Sequence, residues 1–249
     1  MIHREVNLSD LHAPFHDPHA WALAVEIVRR IKPDKVNLLG DIWDFYKVSH
    51  FDKNPDRIVN GHLQGEIDVG KALLRHLLAV FAGEMEFIPG NHCIRMIRFL
   101  LKHQELWGLQ ALQLPNLLGL TEMGIKYSEH EIEIVPGRLV ARHGDVVRKY
   151  AGYSAKAELE RDGYGVSTIT GHTHRLAAVH STHRDTRVVG VENGCLCDLD
   201  PEYVRNPNWQ HGLSIVEVLE DGEFAVTVVP FLGRGDQMRA IVFGQEVSL

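Results

Sequence analysis

Five stretches that read as strands end in residues able to bind cations or carry protons. They end in Asp10 and His12, Asp41, Asn91 and His92, His143, and His172 with His174. Taken singly, Gly-Asp after a strand is turn punctuation, and a histidine at a strand end is commonly a satisfied or exposed side chain. Repeated at five strand ends, the pattern points to one site. Asp10, His12, Asp41, Asn91, His143, His172 and His174 form a mixed oxygen and nitrogen set suited to Mn, Fe, Zn, Ni or Co, with too little oxygen for Ca. Seven such residues exceed the needs of one ion and suffice for two. Asp41 is the natural bridge, because a carboxylate has two oxygens to share while an imidazole offers one lone pair to one metal. Two ions about 3.5–4 Å apart clamp a phosphate and hold a hydroxide nucleophilic at neutral pH.

The elements that must carry these residues follow from the pattern of apolar positions. A strand from Val6 runs to Asp10 and His12, which in extended backbone face the same side. Asp17 is placed to cap a helix through Trp21, Val25, Val28 and Ile31, which Pro33 ends, and the strand Val36 to Gly40 then releases Asp41. Strand, helix, strand predicts a parallel sheet. A helix through Ile67, Leu74, Leu77 and Phe81 leads to a strand over Met85 to Ile88, and then to a helix from Cys93 to His103. On that helix Arg95, Arg98 and Lys102 share a face, either solvated or touching phosphate. Strands are also expected at Ile132 to Val135, Leu139 to Arg142, Val166 to Thr170, Leu176 to Ser181, Arg187 to Val191, Leu213 to Leu219 and Phe224 to Pro230, with a helix near residues 152–162. Residues 45–62 read as a functional loop, with a plain surface excursion as the other reading, and 104–124 as a covering helix broken at Pro115 and Gly119, with a lid or a subunit contact as the other; whether either stretch forms a lid is left open.

With 249 residues, no repeat and no linker, the chain reads as a single domain spanning 1–249. A net charge of −7 argues against a protein that coats nucleic acid, although a local basic patch is compatible with it. The absence of a leader-type apolar start or a membrane-length run, together with three cysteines, an odd number, leads to the expectation of a reducing cytoplasm and no membrane contact. Cys195 and Cys197 read as core residues on one strand face.

Asp10-Leu11-His12, Gly40-Asp41-Ile42-Trp43-Asp44, Gly90-Asn91-His92, His143-Gly144-Asp145 and Gly171-His172-Thr173-His174 resemble, in order, the five motifs of the calcineurin-like metallophosphoesterases. The resemblance implies an α/β fold, a four-layer α/β/β/α sandwich of two stacked mixed β-sheets flanked by helices. It implies one metal on Asp10, His12, Asp41 and His174, and a second on Asp41, Asn91, His143 and His172. By the same resemblance His92 is no ligand but reaches the scissile phosphate and protonates the leaving oxygen, and Asp44 orients its ring. The implied reaction is in-line attack by a metal-bound hydroxide.

Departures from the family pattern narrow the substrate. Protein phosphatases of the family carry Arg-Gly where this chain has Phe45-Tyr46, and many relatives carry an acidic residue where Cys93 stands. The segments around Asn193 to Asp198 and Asn206 to Gly212 resemble phage and prophage members, and Gly-Asp-Ile-Trp-Asp is similar to the repair-nuclease branch. The expectation is a dinuclear phosphodiesterase or nuclease acting on nucleotide or nucleic-acid phosphodiesters, with Mn as the ion to serve it in an assay. The alternatives are a phosphomonoesterase on a small metabolite and a catalytically silent binding or scaffold protein, and self-association into a homo-oligomer is left open. Arg95 and Arg98 are candidate substrate contacts. Tyr150 and Tyr153, after Arg148 and Lys149, read as helix surface or a base-stacking pair; His211 beside Trp209 is a candidate for the pocket wall, and His180 and His183 fall outside the pattern.

Overall fold

The computed structural model describes residues 2–49, 62–201 and 204–249. Most of the expected loop over residues 45–62 therefore lies outside the described residues. The strands are β1 (His3–Leu8), β2 (Lys35–Leu38), β3 (Glu84–Phe87), β4 (Lys126–Tyr127), β5 (Glu131–Val135), β6 (Leu139–Arg142), β7 (Ser167–Thr170), β8 (Leu176–His183), β9 (Thr186–Asn193), β10 (Gly212–Val218), β11 (Phe224–Pro230), β12 (Arg239–Val242) and β13 (Gln245–Ser248). The helices are α1 (Pro18–Ile31), α2 (Leu63–Leu78), α3 (Asn91–Lys102), α4 (Leu114–Leu117) and α5 (Tyr153–Arg161).

Two mixed sheets stack face to face, ordered β11-β10-β1-β2-β3-β4 and β5-β6-β7-β9-β8. Leu39 and Ile88, just past β2 and β3, pack with Val216 against Ile132, Leu139, Ile169 and Val191 of the second sheet. On the outer face of the first sheet, Leu23, Ile27, Leu74 and Met96 cover Leu8, Leu38 and Phe87. On the second sheet, α5 lies on β7 and β9 with Ala155 and Leu159 buried. The four-layer α/β/β/α order expected of the chain is the one observed. β2 is buried along its whole length, as a parallel strand covered on both faces must be. The side-chain nitrogen of its polar Asn37 donates inside the sheet to Glu5 Oε2 at 2.7 Å and Asn7 Oδ1 at 3.0 Å.

Parallel pairing sets the position of the site. β1, β2 and β3 run in one direction, as do β6, β7 and β9, so within each sheet their carboxyl ends emerge on one edge. Asn193, closing β9, donates to Asn7 O and Ser9 Oγ of the first sheet at 3.1 and 3.0 Å, which ties the two sheets together beside that edge. Asp17 caps α1 as expected, accepting from the His19 and Ala20 amides.

Two expectations are corrected. Residues 104–124 are not one broken helix but two single 3₁₀ turns, the four-residue α4 and further turns. Gly108 and Gly119 adopt φ of +92° and +70°, which interrupts any longer helix. Leu114, Leu118 and Leu120 still cover the core, while Trp107 and Leu109 remain exposed. The hairpin β12-β13 was not anticipated, because each strand has four residues and only Ala240, Val242 and Val247 turn inward. Among the described residues, no helix is long and apolar enough to cross a membrane.

Trp43 joins the site to this core. It is fully buried, donates from Nε1 to Ile67 O on α2 at 3.1 Å and meets the Phe87 ring edge-on. Trp43→Ala is expected to cost about 3–5 kcal/mol, read as a lowered urea midpoint; a loss under about 1 kcal/mol would contradict this anchoring.

Candidate metal centre

The residues at the strand ends reach one another through an unusual backbone. Asp10, His12, Asp41, His172 and His174 have φ between 51° and 66°, five of the eleven non-glycine residues with positive φ among those described. Such conformations cost about 1–3 kcal/mol each and persist where the surroundings over-determine them. The spacing of two therefore works by a different route from the one expected: Asp10 and His12 lie beyond β1 in left-handed backbone rather than on one face of an extended strand. Two motif glycines admit the carboxylates. A Cβ on Gly90 would sit 2.1 Å from Asp41 Oδ1, and one on Gly171 would sit 2.6 Å from Asp10 Oδ2.

The seven expected ligand residues converge as two groups. In the first, His174 Nε2 is 3.2 Å from Asp10 Oδ1 and 3.1 Å from His12 Nε2. In the second, His143 Nε2 is 2.9 Å from Asn91 Oδ1, and its ring lies 5.1 Å from that of His172. Asp41 stands between the groups, with Oδ2 3.2 Å from His143 Nε2 and 3.9 Å from His12 Nε2. Asp10, His12 and Asp41 offer converging ligand atoms, as do Asp41, His143 and His172. The other oxygen of Asp41 accepts the His92 amide at 2.9 Å, and Asp10 accepts the His172 amide at 3.0 and 3.1 Å, so backbone N–H groups hold both carboxylates. His143 Nδ1 is held by Leu39 O at 2.9 Å, which leaves Nε2 for the site. Lone-pair atoms that close, and that buried, are reconciled by protons or by cations.

Charge in the cluster is redistributed accordingly. Burial raises the pKa of Asp41, but the neighbouring His143 and His92 rings outweigh it and hold the carboxyl well below the usual range. Burial likewise works against Asp10, which His174 nonetheless keeps ionised. Burial works against charge on His143 too, and Asp41 still lifts that ring to about 9. His174, opposed by burial and raised by Cys197 and Asp10, reaches about 10. His12 and His172 are pushed down, first by burial and then by neighbouring imidazoles. The residues thus fit divalent cations: two buried carboxylates and convergent imidazoles attract positive charge, and protons supply it in the absence of metal.

Around the cluster, Asp44 meets two imidazoles rather than the one expected. His92 Nδ1 donates to the Asp44 carbonyl at 3.0 Å and lies 3.2 Å from its Oδ2, which is itself 3.1 Å from His12 Nδ1, so Asp44 orients two rings. His92 Nε2 lies 3.8 Å from Asp41 Oδ2 and 3.0 Å from the Arg95 guanidinium. A guanidinium only donates, so in this arrangement Nε2 accepts and the ring proton sits on Nδ1. Arg95 also donates to Asp44 Oδ1 and to its carbonyl, each at 2.9 Å. Arg98 is exposed on the same helix. Cys93 is fully buried in the core against which α3 packs, and burial pushes its thiol up to about 12.

Sequence reasoning missed two neighbours of His174. Cys197 Sγ is 3.7 Å from His174 Nδ1, and the Trp209 ring centroid is 4.2 Å from the His174 ring. Cys195 and Cys197 are buried, as expected of core residues, but they lie beyond β9 rather than on a strand face. The pairing of β7 with β9 carried the missing signal, since it brings the residues after Asn193 to the strand end that bears His172 and His174. His211 donates from Nε2 to Cys197 O at 2.7 Å. His180 and His183 are exposed on β8, away from the cluster, and His183 stacks on Tyr164. Tyr150 and Tyr153 are exposed and meet edge to face.

Comparison with known proteins gives the following. No family model matches the chain, and no curated protein matches it. Among solved structures it is similar to Vps29 from Cryptosporidium parvum, at 13% identity and TM-score 0.47 over 93% of this chain and 99% of that one. It is similar to wild-type Vps29 complexed with zinc from Entamoeba histolytica, at 15% identity and TM-score 0.45 over 98% and 95%. It is also similar to a conserved uncharacterised protein from Streptococcus pneumoniae TIGR4 described as a predicted phosphoesterase, at 12% identity and TM-score 0.40 over 92% and 90%. At these values the likenesses carry no argument about chemistry.

Because His143 and His174 hold protons up to about 9 and 10 in the cation-free protein, cations must displace them. Mn2+ or Zn2+ uptake at pH 7 is expected to release about two protons per chain, measured by titration calorimetry in buffers of differing ionisation enthalpy. Affinity rises with pH through this range, and uptake without proton release would contradict the assignment.

Proposed function

We propose that the chain, acting as one domain, is a dinuclear metal-dependent phosphoester hydrolase, and that its substrates are nucleotide or nucleic-acid phosphodiesters. The observation that carries the reading is the position of Asp41 Oδ2, which faces His143 Nε2 at 3.2 Å, His12 Nε2 at 3.9 Å and His92 Nε2 at 3.8 Å. One oxygen thus adjoins both ligand groups and the imidazole that the family resemblance makes a proton donor. Asp10, His12, Asp41 and His174 would hold one divalent cation, and Asp41, Asn91, His143 and His172 the other. Cations there neutralise charge on phosphoryl oxygens and make a water acidic enough to deprotonate near neutral pH.

The protein's own groups do the rest. Asp44 keeps the His92 ring turned so that Nε2 faces the ligand cluster, and it holds His12 through the nitrogen a metal does not use. His92 Nε2, which accepts from Arg95 in the substrate-free arrangement, is freed when that guanidinium turns to substrate. It then takes a proton from solvent while Nδ1–H stays on Asp44, and the imidazolium so formed would give that proton to the leaving oxygen. Arg95, 3.0 Å from that nitrogen, turns its donors to a phosphate oxygen once substrate is bound. Leu11, Ile42 and Trp43, each at most 1% exposed, back the site with a dry wall that strengthens these charge interactions.

The test is chelation followed by add-back of Mn2+, Zn2+, Fe2+, Co2+ or Ni2+, assayed on bis-p-nitrophenyl phosphate against the monoester. The expected result is metal-restored turnover that favours the diester; preference for the monoester would make the enzyme a phosphomonoesterase. A metal-replete sample inert on every phosphoester would leave only the scaffold reading. His92→Ala is expected to lower kcat about 10²–10⁴-fold with metal content unchanged, while Asp41→Asn loses metal as well as turnover. Full activity in either would sink the proposal.

A further inference from the structure

α3 begins at Asn91, in the cluster, and carries Arg95, Arg98 and Lys102 at helical spacings of three and four. Alongside it lies a cavity of about 680 Å³, whose lining includes Asn91, Ile94, Arg95, Arg98, Leu101 and Lys102. One end of this groove is therefore at a proposed metal ligand. The chain has 33 acidic against 26 basic residues, yet the described lining holds three cations and no carboxylate. Elsewhere Arg29, Arg30, Arg138, Arg142 and Arg161 are each paired with Asp or Glu. Arg98 and Lys102, like Arg148, Arg184 and Arg187, have no ion-pair partner among the described residues, and these two share this one groove. Between them the wall is apolar: Ile94 is 41% and Leu101 51% exposed. Unpaired cations alternating with bare apolar surface match a chain that alternates phosphates with base faces, whereas a bare polyphosphate would leave the apolar surface unused.

We propose that this groove binds the leaving strand of the substrate, a single-stranded nucleotide chain that carries at least one phosphate beyond the one attacked. The inference rests on the phosphodiesterase reading and adds a direction to it. His92 protonates the leaving oxygen, and Arg95 bridges His92 to the groove, so what departs lies over Arg95 and continues towards Arg98 and Lys102. From Arg95 to Lys102 the helix advances about 10 Å, the axial rise of roughly three stacked nucleotides. Arg98 and Lys102 meet the distal phosphates, and Ile94 and Leu101 meet the bases.

Binding of fluorescent hexathymidylate to the full-length protein in EDTA, followed by anisotropy, tests the groove without turnover. Arg98→Ala/Lys102→Ala is expected to weaken binding at least tenfold, Lys102→Glu to weaken it also, and the double variant to lower the salt slope by about 1.4, two contacts at about 0.7 each. Tripolyphosphate and a doubly phosphorylated peptide are expected to compete at least tenfold less well than unlabelled hexathymidylate. Unchanged binding in both variants, or equal competition by either charged probe, overturns the proposal. Hydrolysis of bis-p-nitrophenyl phosphate by the wild-type protein reports separately on the phosphodiesterase reading. If that diester is cleaved while the variants bind normally, only the groove assignment falls. If no diester is cleaved, the leaving-strand assignment falls even where binding depends on Arg98 and Lys102.

Discussion

A carboxylate buried to 1% exposure must be compensated, and the compensation of Asp41 organises this molecule. One of its oxygens takes the His92 amide; the other is left to imidazoles from the ends of both sheets. Asp10, fully buried beside it, is met in the same way by the His172 amide and by His174. Among the described residues neither charge is matched by a lysine or arginine in contact with it, so the cluster takes up positive charge from solution. That demand is what a divalent cation satisfies.

Supplying these partners requires two sheets. β1 and β2 deliver the carboxylates, while β6 and β7 deliver His143, His172 and His174 from the opposite layer. The apolar contacts of Leu39 and Ile88 with Ile169 and Val191 fix the distance between the layers, and Asn193 joins them beside the site. The left-handed backbone at five site residues is strain that only such a packed frame can hold. Fold and site are in this sense one construction, with Trp43 linking Asp41 to α2.

Much of this was legible in the sequence, because buried parallel strands announce themselves as apolar runs and the residue after each run is chemically conspicuous. The strand-helix-strand start and the cap at Asp17 follow from local pattern, whereas the layer order was implied by the resemblance of the five motifs to a known family. What escaped was non-local or irregular. Cys197 meets His174 only because β9 pairs with β7, a register that no local period encodes. The second imidazole at Asp44, that of His12, likewise depends on how two loops meet. Four-residue strands with few inward side chains hid β12 and β13, and glycines with positive φ broke the leucine-rich stretch over 104–124 into turns where periodicity suggested a helix.

The central claim is that two cations share Asp41. Electron paramagnetic resonance of the protein loaded with Mn2+ tests it most directly, since a shared carboxylate couples the two spins magnetically. The account predicts the spectrum of an exchange-coupled manganese pair in the wild-type chain and its disappearance in Asp41→Asn. A wild-type spectrum of isolated, uncoupled Mn2+ at saturating metal would contradict it.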